Sequence, residues 1–89
     1  MSLETLIVGE IIGGLSDKER KIVLTVGSLN GWSSIYEISR ACNLSILRGE
    51  MDVLVKCGLV RHDQRSIFFI LTSLGQLVRT QLESMSEST

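Results

Sequence analysis

Two helical patterns separated by only Asn43-Leu44-Ser45 constrain this 89-residue chain more than any other feature. The first opens at Ser34-Ile-Tyr-Glu37, a capping box in which the serine hydroxyl accepts from the third amide and the glutamate reaches back. Ile35, Ile38 and Ala41 or Cys42 then face inward, and the pattern ends near Asn43. The second follows Ser45, a good N-cap, carries Leu47, Met51, Leu54 and Val55 at helical spacing, and stops at Gly58. So short a corner forces the two helices to cross sharply and lets Leu44 fill the angle between them.

The flanks supply the rest of a small domain. Leu3, Leu6, Ile7 and Ile11 recur at helical spacing over 3–13, before Gly13 and Gly14. A second capping box, Ser16-Asp-Lys-Glu19, starts a helix with Ile22, Val23, Val26 and Leu29 inside, and Asn30-Gly31 stops it. Beyond Gly58, Leu59 to Arg61 is strand-like, Asp63-Gln-Arg-Ser66 is a polar turn, and Ile67 to Leu71 is a β-branched and aromatic return strand. Thr72 or Ser73 caps a closing helix with Leu74, Leu77, Val78, Leu82 and Met85 on its apolar side. The expected fold class is α+β, mostly α: one domain over 1–85, with 1–14 as an N-terminal helix and 86–89 as a disordered tail.

With 44% hydrophobic but only 4% aromatic residues, aliphatic side chains must build the core, and a core this small gains from dimerisation. No apolar run approaches the roughly 20 residues that cross a bilayer. The start lacks a basic segment and carries Glu4 and Glu10, so a soluble, cytoplasmic protein is expected. Cys42 and Cys57 lie 15 apart, outside any CxxC pair, and with the lone His62 make no zinc set. They read as small, partly buried thiols, with no metal and no cofactor expected. Enzyme chemistry is not expected, since there is no phosphate-cradling glycine loop, triad or carboxylate pair in an apolar pocket.

YEISRACNLS (36–45), LVKCGLV (54–60) and FFILTSLGQLV (68–78), in that order and spacing, resemble the winged helix-turn-helix family, particularly its MarR- and ArsR-like regulators. The resemblance covers roughly 16–82. It implies a two-stranded wing with its tip at about 62–66, a recognition helix at about 46–57, and flanking N- and C-terminal helices. It further implies double-stranded DNA as partner and a role in transcription regulation as a homodimer.

On that reading Ile46, Arg48, Gly49, Asp52, Val53 and Lys56 face solvent, and Leu47, Met51 and Leu54 face the core. Arg48 is the candidate for a bidentate guanine contact, against pairing with Asp52. Ser45 either donates to phosphate or only caps its helix; Lys56 either meets phosphate or is solvated. Arg61 and Arg65 flank the hairpin turn and, by resemblance, reach the minor groove or backbone. Arg40 contacts backbone or pairs with Glu37. Residues 40–65 hold five basic residues (Arg40, Arg48, Lys56, Arg61, Arg65) against three acidic ones, a balance of +2 in a chain of net charge −1. His62 and Tyr36 read as surface residues and Trp32 as a lid over the core.

The dimer interface is expected from Leu3, Leu6, Ile7 and Ile11 of the first helix and Leu77 and Leu82 of the last, together with Phe68 and Ile70. The last two fall on the outer side of the return strand if Ile67, Phe69 and Leu71 point inward. Alternatively the first helix packs back on its own chain and covers them. The near-neutral charge and the apolar outward positions of the 46–57 helix keep a second function open, a protein-interaction module within a larger assembly that binds no DNA.

Overall fold

The computed structural model describes residues 3–87 as an α+β fold, mostly helical. Its helices are α1 (Leu3–Gly14), α2 (Asp17–Ser28), α3 (Ile35–Cys42), α4 (Arg48–Lys56) and α5 (Ser73–Glu87). Its strands are β1 (Ser33–Ser34), β2 (Val60–His62) and β3 (Phe68–Leu71), antiparallel in the order β1-β3-β2. The arrangement is compatible with a winged helix. Of the tail expected at 86–89, Ser86 and Glu87 continue α5, and residues 88 and 89 lie outside the described residues. Among the described residues no helix is long and apolar enough to cross a membrane.

Both capping boxes form. The Ser16 hydroxyl accepts from the Glu19 amide at 3.1 Å, and the Glu19 carboxylate accepts from the Ser16 amide at 2.8 Å. Ser34 and Glu37 repeat the exchange at 3.2 Å each way. Each box satisfies amides that a helix start would otherwise leave without partners. Ser33 and Ser34 also pair with Phe69 and Phe68, making the third strand. Two residues carry no period-2 pattern, so the sequence expectation had only a two-stranded hairpin.

Inward-facing residues converge on one core. Ile22, Ile38, Met51, Leu54, Leu59, Phe69 and Val78 are fully buried, each such side chain stabilising by about 1.5–3 kcal/mol. Thr72 ties α5 to this core: its hydroxyl donates to the Gly58 carbonyl at 2.6 Å and accepts from the Gly75 amide at 3.0 Å. Gly58, at φ +79°, takes the left-handed turn that ends the α4 segment.

The first helix packs through two positions that the sequence pattern did not single out. Val8 and Ile12 are buried and Ile11 is half-buried, with α1 packed along α5. The Arg20 guanidinium then caps α1 by donating to the Ile12 carbonyl at 2.8 Å. Leu3, Leu6 and Ile7 stay exposed, Leu3 at 72%. Leu82 is turned into the chain's own core, whereas Leu77 remains exposed. Trp32 is not a lid: it is 47% exposed. Of the two free thiols, Cys42 is buried and Cys57 is exposed rather than partly buried.

Candidate nucleic-acid interface

The corner between α3 and α4 is longer than the sequence reading had it. Asn43, at φ +56°, ends α3 in the left-handed conformation, and Leu44 donates back to the Ser39 carbonyl at 3.2 Å. Residues 43–47 form the link, and α4 begins at Arg48. Ser45 is exposed on this link and is not the N-cap; Leu47 holds that position, with extended backbone. The shift exchanges two side chains. Ile46, expected outward, is buried at 8%, and Leu47, expected in the core, is 67% exposed.

Leucine has no side-chain acceptor, so the cap is made from the other end. The Glu50 carboxylate accepts from the Leu47 amide at 2.9 Å and meets the Lys18 ammonium of α2 at 2.9 Å. The Leu47 amide first, and Lys18 beside it, hold the Glu50 carboxyl below its ordinary pKa. One acidic side chain thereby fixes the start of α4 onto α2, a tie that no pattern within α4 could disclose.

Along α4, Met51 and Leu54 are fully buried, while Arg48, Gly49, Asp52, Val53 and Lys56 are exposed as expected. Arg48 Nε lies 3.6 Å from Asp52 Oδ1, a solvated contact one turn apart that is worth little. Arg40 is exposed on α3; its expected partner Glu37 is taken up by the Ser34 amide. Among the described residues, Arg40, Lys56, Arg61 and Arg65 form no salt bridge.

The β2–β3 hairpin is braced from within. Asp63 Oδ1 accepts from the Arg65 amide at 3.1 Å, and its Oδ2 accepts from the Ser66 hydroxyl at 3.0 Å. His62 stacks on Phe69 and its Nε2 lies 2.9 Å from the Ser66 carbonyl, so the ring is half-buried rather than a plain surface group. The turn thus presents Arg65 on a fixed backbone. Arg61 stands apart from this group: it lies opposite Ile70, beside Trp32 in a groove on the sheet's other face.

All three acidic side chains of the 40–65 segment are engaged, Glu50 by Lys18, Asp52 by Arg48 and Asp63 by its own turn. Arg40, Lys56 and Arg65 are left as exposed cations without ion pairs among the described residues. Tyr36, Ile46, Arg48, Ile67 and Phe69 also line a cleft of about 300 Å³ between α3, the start of α4 and the hairpin. No group of three or more potential metal ligands occurs among the described residues. No protein-family model, curated protein or solved structure matches the chain.

Proposed function

We propose that this protein binds double-stranded DNA through a winged helix-turn-helix and acts in transcription regulation as a homodimer, without catalysis. The observation that carries the reading is α4 itself. It buries Met51 and Leu54 while holding Arg48, Gly49, Asp52, Val53 and Lys56 outward, between a tight corner and a braced hairpin. In this reading α4 enters the major groove with Arg48 at a guanine edge, and Arg40, Ser45 and Lys56 meet phosphates. Arg65 at the wing tip reaches the backbone or minor groove. The strand order β1-β3-β2 supports the winged-helix assignment, since it joins the start of α3 to the wing. The exposed strip Leu3, Leu6 and Ile7, with Leu77, supports the homodimer.

Fluorescence anisotropy with labelled duplexes of mixed sequence tests the proposal. Binding is expected at low salt and falls linearly in log affinity as log salt rises. Arg48→Glu and Arg65→Glu together are expected to cost a few kcal/mol, at about 1–3 kcal/mol per contact. Failure to bind any duplex at low salt sinks the reading.

A second reading, a protein-interaction module, draws on the exposure of Tyr36 and Leu47 beside Arg48 at that same face. Tyrosine and arginine are typical interface anchors. A stoichiometric complex with a purified protein partner, in a chain that ignores DNA, would favour it.

A further inference from the structure

A groove of about 610 Å³ lies on the outer face of the sheet, between Trp32, Arg61, Ile70, Ser73 and Leu74. Strand register explains who meets there. Arg61 is paired opposite Ile70, and Ser33 opposite Phe69, so the position before β1 brings Trp32 to the other flank of Ile70. The result is a row across the sheet: an indole, a branched aliphatic chain and a guanidinium. Trp32 is half exposed and Ile70 half-buried, leaving an apolar floor open to solvent. Arg61 has no ion-pair partner among the described residues. The duplex contacts proposed above use none of Trp32, Ile70 and Arg61, and none of the three belongs to the buried core.

We infer that this groove binds a small amphipathic carboxylate, with its apolar body on Trp32 and Ile70 and its carboxylate on Arg61. The volume lies within the range of ligand pockets, roughly 300–1,000 Å³. The division into an apolar floor and one cation selects a ligand divided the same way. A guanidinium donates two parallel hydrogen bonds to a carboxylate, an arrangement that a neutral head group cannot reproduce. The Ser73 hydroxyl, at the groove's edge, supplies a further donor.

Trp32 is the chain's single tryptophan, so its emission reports on this groove alone. Octanoate, octan-1-ol and acetate are titrated into the intact protein while far-UV circular dichroism follows the fold. Octanoate is expected to give a saturable blue shift. Octanol should bind roughly ten-fold more weakly for want of the charge-assisted bonds, and acetate should give no shift. Arg61→Gln should bring octanoate down to the level of octanol. Lys21→Gln, which removes an equal charge from the exposed side of α2, should leave octanoate binding unchanged. The inference is overturned if octanoate and octanol act alike, or if Lys21→Gln weakens octanoate as much as Arg61→Gln. It is also overturned if helicity is lost along with the shift, or if emission moves with protein concentration alone, which would mean that a second copy fills the groove.

Discussion

The imidazole of His62 stacks on the ring of Phe69, with centroids 4.6 Å apart and planes 22° from parallel. Phe69 is the largest fully buried side chain, so the hairpin's last paired residue rests directly on the centre of the core. His62→Ala should lose this contact and the bond to the Ser66 carbonyl, destabilising the fold by about 1 kcal/mol. Hydrogen exchange is the sharper readout: amides of 63–68 should exchange faster while those of α2 keep their protection. Unchanged hairpin exchange would show that the stacking braces nothing.

Glu50 predicts a pH dependence. Its carboxyl is held below the ordinary value of 4.5 by the Leu47 amide and Lys18, so the folded state favours the ionised form. A lowered folded pKa contributes stability that is complete above the unfolded value and is lost as pH falls through the folded one. Glu50→Gln should therefore lower Tm at neutral pH, and the gap from the unsubstituted protein should close below about pH 4.5 as acid neutralises Glu50. A gap that stays constant down to pH 3 would contradict this.

Two glycines should respond in opposite directions to alanine. A methyl at Gly75 would fall on the Leu59 carbonyl where α5 crosses the start of β2, and the backbone must move to admit it. Gly75→Ala should destabilise by roughly 1–3 kcal/mol, as overpacking does. At Gly49, on the open face of α4, an added methyl meets nothing within 4 Å. Gly49→Ala should stabilise by up to about 1 kcal/mol through helix propensity. Urea denaturation of the two variants decides both signs.

Self-association should run through α1. Its buried positions are Val8 and Ile12, so Leu6 and Ile7 can be changed without opening the core. Leu6→Glu with Ile7→Lys should shift sedimentation from dimer towards monomer while leaving the thermal unfolding of dilute protein nearly unchanged. An unaltered sedimentation coefficient would move the seam elsewhere.

Local chemistry made much of the fold legible in the sequence. The two serine–glutamate boxes, Asn43 and Gly58 each fix a helix end through bonds or dihedrals set within a few residues, and the helices lie where these signals put them. The misplaced start of α4 had a different origin. Ser45 looks like a cap, but Glu50, already braced by Lys18 from α2, satisfies the Leu47 amide instead. That partnership spans 32 residues, and with Leu47 at the N-cap it is Ile46 rather than Leu47 that lies inside. The inward positions of α1 were hidden for a similar reason. Leu3, Leu6, Ile7 and Ile11 make the visible stripe, yet Val8 and Ile12 are the positions buried where α1 packs along α5. The candidate interface was legible as exposed positions on α4. Arg61 was not, because only strand register reveals that it shares a face with Trp32.

Ser34 belongs to two elements at once: its backbone pairs with Phe68 in the sheet, and its hydroxyl caps α3. The ribbon therefore has no hinge of its own. The sheet and the helix pair are joined at a single residue, so β3 cannot shift against β1 without carrying the start of α3 with it.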